Sequence, residues 1–398
     1  MRLNRYTLLF ICLLIFHTVT LIWVIGDYSI SAKEAEIFFN QEYTPLSLLT
    51  HFTTNIFGIN DYALRIPFIL FYMGSAILLY LLTNRYFRSD RDRFICIVIF
   101  MLLPGVNSAA LLVNESIIVI FGTLLYLYLY KLRKKENYIL LFLFVFIDNS
   151  FAILFLSLFF FSLYKKDNVL LIISLILFGV SMSLYGFQVD GKPKGYFLDT
   201  CAIYATIFSP VLFIYFFYSM YRVGIKWERN LLWYIAITAL GLSLLFSLRQ
   251  KVAINDFAPF VVIAIPIMVK LFIHSLRVRL KEFRTIHYIM LRITLGVLIL
   301  SFLLFIFNKS FYLFLNNPSS HAINKHYVVK ELAEELKKLN IQGVTTPNNK
   351  LALRLRFYGI DADNSMVLSE EKVGLNPKEI NVFYKDRLIK KYYLLETQ

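Results

Sequence analysis

The chain has 398 residues, of which 58% are hydrophobic and 17% aromatic, and a formal net charge of +15. That apolar content excludes an ordinary soluble domain, and several runs approach the ~20 apolar residues that cross a bilayer as a helix. The charge does not point to nucleic acid, because the basic residues sit in short loops between apolar runs, the positive-inside pattern of a multi-pass membrane protein.

The first apolar run, 6–25, follows Arg2 and Arg5. No small-x-small cleavage site comes after it, so it reads as an uncleaved anchor with the N-terminus inside. With the basic clusters 85–93, 131–135, 165–166, 222–229 and 277–284 held inside, the crossings are 6–25, 65–84, 94–112 and 116–131. Next comes a hairpin of two short segments within 138–164, turning at Asp148-Asn149-Ser150. The crossings 169–186, 204–221, 230–248, 257–274 and 288–307 follow. The expectation is an all-α polytopic fold of about eleven segments over 1–310. From 311 to 398 it predicts a small α/β domain outside the membrane. There HYVVKELAEELKKLNIQG reads as an amphipathic helix ending by Gly343, a short strand and a turn at Pro347-Asn348-Asn349 precede a second helix in VTTPNNKLALRLRFYGI, and NVFYKDRLIKKYYLLE reads as two strands around a Lys-Asp-Arg turn.

The outer-face loop 26–64 concentrates acids: Asp27, Glu34, Glu36 and Glu42, balanced by Lys33 alone up to residue 52. A short helix over 31–40, started by Ser31, carries Glu34 and Glu36. TPLSLLTHFTTNIFG is too short and polar to span and reads as an interfacial helix. Two readings of the acids stand side by side. They are solvated loop charges, or Asp27 or Glu34 is a general base beside a bilayer-borne substrate. Asp27 lies where the first helix leaves the hydrocarbon. His51, on the interfacial helix, is a ligand or proton carrier on one reading and a structural histidine on the other.

This loop resembles that of the GT-C glycosyltransferases of family 39, which include protein O-mannosyltransferases and lipid A aminoarabinose transferases. Glu34-Ala35-Glu36 resembles their Tyr-Ala-Glu, Tyr43-Thr44-Pro45-Leu46 their proline step, and Phe57-Gly58 with Ala63-Leu64-Arg65-Ile66-Pro67 the start of their second helix. Ile30 and Ser31 stand where the family has a catalytic acid pair, and Asp27 lies three residues earlier. Asn114-Glu115 occupies the place of a downstream Thr-Asp-like pair, and Asp148-Asn149 that of a Lys-Gly in a membrane hairpin. The resemblance covers roughly residues 1–310.

In FSLRQKVAINDFAPFVVIAIPIM, Arg249 and Lys251 lie on the outer side, where cations are disfavoured. They snorkel to headgroups or hold a lipid phosphate. The resemblance implies the second, at the step where the family holds a polyprenyl phosphate, and Arg65 is a third candidate cation. Lys192, Lys194 and Tyr196 lie in a mixed-charge loop where they would gate or contact a donor headgroup. Cys12, Cys96 and Cys201 show no metal-ligand spacing, His274 and His287 carry no assignment, and no HExxH, P-loop or Rossmann glycine pattern occurs.

The resemblance implies an inverting transferase in a bacterial inner membrane. It would move a sugar from a polyprenyl-phosphate donor to a lipid, glycan or protein acceptor on the periplasmic face. The cations would hold the donor phosphate, and an acid would deprotonate the acceptor or orient a divalent metal. The competing expectations are a flippase or transporter of lipid-linked sugar, which would carry its charges near the midplane, and a non-catalytic relative. Nucleic acid is not an expected partner.

Overall fold

The computed structural model describes residues 4–39, 44–186, 194–313, 324, 326–363, 366–372 and 377–396. Within it the chain divides into two compact units that interleave in sequence. One comprises Met1–Thr18, Leu70–Ala110 and Asn114–Phe302, the other Val19–Ile69, Leu111–Val113 and Leu303–Gln398.

The helices follow the apolar runs. In chain order they are α1 (Arg5–Ile25), α2 (Ala32–Phe39), α3 (Pro45–Phe57), α4 (Asp61–Leu82), α5 (Asp90–Leu102), α6 (Pro104–Leu111), α7 (Ser116–Arg133), α8 (Tyr138–Phe144), α9 (Phe151–Lys165) and α10 (Asn168–Leu184). Then come α11 (Phe197–Phe208), α12 (Pro210–Lys226), α13 (Leu231–Ser247), α14 (Ile254–Val262), α15 (Ile265–Val278) and α16 (Lys281–Ile306). A break at the predicted turn Asp148-Asn149-Ser150 separates α8 from α9. Among the described residues five helices, with α14 and α15 taken as one, are long and apolar enough to cross a membrane, or seven when each bent pair counts as one span. The apolar helices α9, α10 and α13, of 15 to 17 residues, and the short α8 complete the set.

Two expected straight crossings are broken. The run 94–112 bends by 57° between α5 and α6, and 204–221 by 105° between α11 and α12. Proline is the cause in both. It disfavours helical backbone at the residue before it and lacks the N–H that would continue the ladder. Leu103, ahead of Pro104, is extended, and Ser209, ahead of Pro210, has φ +78°.

In the first unit, helix starts are closed by short polar side chains. Ser89, Asn137, Asp167 and Asn230 each accept a hydrogen bond from a backbone N–H of the first turn, worth ~1 kcal/mol apiece. Cations close helix ends. Lys131 donates to the Leu82 carbonyl at 2.7 Å, and the Arg93 guanidinium stacks 3.3 Å from the Tyr80 ring centroid while donating to its carbonyl. Most of the α14–α15 span is buried, whereas α16 turns most of its apolar surface outward. That outward surface suits lipid, which places no penalty on exposed leucine and phenylalanine.

In the second unit, Ser31 and Glu34 form a reciprocal cap on α2: Ser31 N–H donates to Glu34 Oε2 at 2.7 Å, and Glu34 N–H donates to Ser31 Oγ at 3.3 Å. Thr44 caps α3, with Pro45 in its first turn. Toward the C-terminus lie a 3-10 turn (Asn308–Leu313), α17 (Val328–Lys338) and α18 (Asn349–Phe357). A three-stranded antiparallel sheet follows, of β1 (Met366–Ser369), β2 (Lys378–Tyr384) and β3 (Arg387–Glu396), in the order β1-β3-β2. The β2–β3 hairpin turns at Lys385, whose φ is +52°, as the Lys-Asp-Arg turn predicted. Val328, Val329, Leu332, Ala333 and Leu336 form the buried stripe of α17, which packs on β2. The short strand expected before Pro347 is reduced to isolated bridges at Gly343 and Thr345, and β1 is an addition to the predicted elements.

Candidate active site

In the second unit, charge concentrates around Arg65. The first helical turn of α4 puts Asp61 and Arg65 on one face at i, i+4 spacing. Arg65 is fully buried. Its Nη1 donates to the Tyr28 carbonyl at 3.2 Å and to Asp61 Oδ1 at 3.4 Å. Its Nη2 donates to the Ser29 carbonyl at 3.1 Å and to Glu34 Oε2 at 3.0 Å. Glu34 has both oxygens engaged, since Oε1 accepts the Val113 N–H at 3.0 Å. Burial alone would raise the Glu34 carboxyl. The Arg65 guanidinium and the Ser31 and Val113 N–H donors outweigh it and hold the carboxyl below the usual carboxylate range.

A second layer comes from the C-terminal segment. Lys330 reaches Asp61 Oδ2 at 3.1 Å and donates to the Gly26 carbonyl at 2.8 Å. The Tyr358 hydroxyl accepts the Ile30 N–H at 2.9 Å and donates to Asp61 Oδ1 at 2.8 Å. Arg354 donates to the Ile30 carbonyl at 2.7 Å, and the Ser29 N–H donates to the His326 carbonyl at 2.7 Å. The backbone of Gly26, Tyr28, Ser29 and Ile30 is thus tied by hydrogen bonds to α4 and the C-terminal segment.

Asp27 differs. Lys309 bridges it at 3.2 Å and Glu331 at 2.9 Å. Burial raises the Glu331 carboxyl, although Lys309 pulls it the other way. Of the acids in this network, the Asp27 side chain is 44% exposed, against 21% for Glu331, 5% for Asp61 and 3% for Glu34. A base must be reachable by its acceptor, and only Asp27 meets that requirement well. Glu36 is exposed on the outer face of α2. His51 is half-buried, with its ring 4.6 Å from that of Phe38.

The remaining candidates lie in the first unit. Arg249 and Lys251 are exposed in the turn between α13 and α14. The loop before α11 is stitched to that turn, with the Lys194 N–H donating to the Arg249 carbonyl at 3.2 Å and the Tyr196 N–H to the Ser247 carbonyl at 2.7 Å. Lys194, Tyr196, Arg249 and Lys251, from two separate stretches, therefore belong to one surface. Among the described residues, no carboxylate pairs with Arg249, Lys251 or Lys194. Glu115 precedes α7, whose Ser116 hydroxyl donates to the Asn255 carbonyl at 3.1 Å, so Glu115 stands near the start of α14. Asp148 accepts the Ser150 N–H at 2.9 Å in the hairpin turn. Lys192 and Tyr43 lie outside the described residues.

Arg65 was an expected phosphate ligand, and it is instead sealed between two carboxylates and two carbonyls. Glu34 was an expected base, and it is instead spent on two N–H donors and a guanidinium. Asp61, Lys309, Lys330, Glu331, Arg354 and Tyr358 were missed. Only the Asp61–Arg65 spacing carried a local signal, because the others meet the loop across 280 residues or more of chain. Among the described residues no group of three or more His, Cys, Asp or Glu side chains is placed to hold a metal ion.

The chain shares the fold of ArnT from Cupriavidus metallidurans. The apo structure superposes with TM-score 0.56 at 11% identity, covering 98% of this chain and 97% of that one. The structure bound to undecaprenyl phosphate gives TM-score 0.57 with the same identity and coverage. No protein-family model matches the sequence, and no curated protein matches it. The likeness is one of fold, and it runs over nearly the whole of both chains.

Proposed function

We propose that this multi-pass membrane protein is a glycosyltransferase that takes a sugar from a polyprenyl-phosphate donor and transfers it to an acceptor hydroxyl at the periplasmic face. The observation that carries the reading is Asp27. It is the accessible carboxylate of an otherwise sealed ion network, set where α1 ends, in a chain whose whole length follows a fold found bound to undecaprenyl phosphate.

In this reading Asp27 accepts the proton of the attacking hydroxyl. Lys309 holds its carboxylate in place and shares itself with Glu331. Arg249 and Lys251 bind the donor phosphate and stabilise the charge it gains as leaving group, Arg through a planar fork and Lys as a point charge. Lys194 and Tyr196, tied to the same turn, contact the donor headgroup. A direct displacement at the anomeric carbon inverts its configuration. Glu34 and Arg65 act as positioning residues: they fix the loop that carries Asp27.

One observation favours a second reading, a non-catalytic relative. Ile30 is buried and Ser31 is committed to capping α2, so the positions where related transferases have an acid pair carry none.

The test is mass spectrometry of glycolipids, lipid A and surface glycoproteins from a deletion strain complemented with wild type, Asp27→Asn or Arg249→Ala/Lys251→Ala at matched membrane levels. Loss of one sugar mass, restored by wild type but not by either variant, supports the transferase and names its acceptor. Restoration by all three sinks the assigned site and favours the transporter. No change on deletion favours the non-catalytic relative.

A further inference from the structure

The other end of the first unit, which carries the basic loops, holds a feature unused by any of this. A cavity of about 250 Å³ there is lined by Arg88, Lys270, His274 and Arg277, with Asp92 as its acid. Lys270, His274 and Arg277 recur at i, i+4 and i+7 on α15, which places them on one face. Arg277 neutralises Asp92, so the remaining cations are in excess.

Topology signalling explains cations in loops, but Lys270 is not in one. It lies inside the apolar span, half-buried two turns before the end of α15, with its amine 4.2 Å from the Tyr86 ring centroid. Among the described residues it meets no carboxylate. A lysine kept in a span without a counter-ion is costly unless something anionic visits it.

An apolar cavity of about 480 Å³ adjoins it, bounded by α5, α12, α15 and α16 and sharing Ile273 with the cationic one. Met268, Phe272, Met290 and Leu291 line its apolar wall. A charged chamber set beside a greasy one, with Ile273 in the wall of both, fits an amphiphile with an anionic head and long chains. An isolated anion would leave the greasy chamber unexplained, and a neutral lipid would leave Lys270 unexplained. Basic pockets between helices at the inner leaflet suit such headgroups.

We propose that this pair of cavities is a binding site for an anionic phospholipid of the inner leaflet. Its phosphate lies among Lys270, His274 and Arg277, and an acyl chain enters between α12 and α16. This site stands independently of the transferase reading.

Native mass spectrometry of the full-length protein reconstituted with phosphatidylglycerol or phosphatidylethanolamine of identical chains tests it. Wild type should retain phosphatidylglycerol preferentially, and Lys270→Gln should cut that preference about fivefold. Lys226→Gln, outside the pocket at the same end, should leave it intact. Thr294→Trp, which fills the apolar chamber, should weaken long-chain phosphatidylglycerol but spare its short-chain analogue. Should Lys270→Gln fail to fold, Arg88→Gln at the rim reads the same preference. Equal retention of the two lipids by wild type overturns the proposal, as does an undiminished preference in the pocket variant. Displacement of the lipid by millimolar inorganic phosphate would make the ligand a free anion and overturn it too.

Discussion

Two sets of cations, one in each unit, are used in opposite ways. Around Arg65 every strong charge is buried and matched, and the guanidinium alone meets two carboxylates and two carbonyls. Around Arg249 and Lys251 the cations are exposed and, among the described residues, unmatched. Charge that is taken out of water and paired builds structure, because removing a partner strands the other. Charge left at the surface without a partner contributes little to stability and stays available to a ligand. The lesson is that cation identity does not reveal the role, whereas the state of its counter-ions does.

The largest effect should come from breaking the buried side of that contrast. Arg65→Leu takes the buried guanidinium from between Glu34 and Asp61, leaving Asp61 to Lys330 and Tyr358 and Glu34 to two N–H donors, and should cost about 3–5 kcal/mol or prevent accumulation. Thermal unfolding of the purified protein measures it, and a melting point within error of wild type would remove Arg65 from its structural role. Asp27→Asn should lower turnover by about 10²–10⁴-fold with the melting point almost unmoved, because its carboxylate is open to water. A loss of stability matching the loss of activity would instead place Asp27 with the structural charges.

Arg249→Ala/Lys251→Ala should weaken donor use about tenfold or more, the worth of a charge-assisted hydrogen bond, again at unchanged stability. Raising the salt concentration should imitate it in part, since exposed charges are screened. Acid should separate the units further. The Arg65 guanidinium and the Ser31 and Val113 N–H groups hold the Glu34 carboxyl below the ordinary glutamate range, so it contributes stability that is present above that range and lost as pH falls through the lower folded value. An unfolding midpoint flat in pH down through that window would contradict its pairing. Smallest of all, Glu36→Gln, on an exposed face, should stay within about 0.5 kcal/mol and leave activity intact.

Much of the local architecture was legible. Ser31 and Glu34 stand at cap spacing, Pro45 follows Thr44, and Asn348 precedes α18, so helix starts could be read directly. The Asp148 turn followed from balancing basic loops. The breaks before Pro104 and Pro210 had a local signal in proline itself, but hydropathy alone runs straight through both. β1 was not legible, because four residues paired with a strand more than 20 positions later carry no periodicity of their own.

By itself the sequence determined that the chain lies in a membrane, where its apolar runs begin and end, which loops are basic and which acidic, and the hairpin near the C-terminus. These follow from hydrophobic run length, capping chemistry and charge asymmetry, which are properties of neighbours in the chain. Only the tertiary structure decided which acids are spent and which remain open. Glu34 and Asp27 are seven residues apart and look alike in sequence. One is closed by Arg65 and the Val113 N–H, while the other is held by Lys309 with its face to water. A carboxylate's role depends on the groups within a few ångströms of it, and here those groups come from distant parts of the chain.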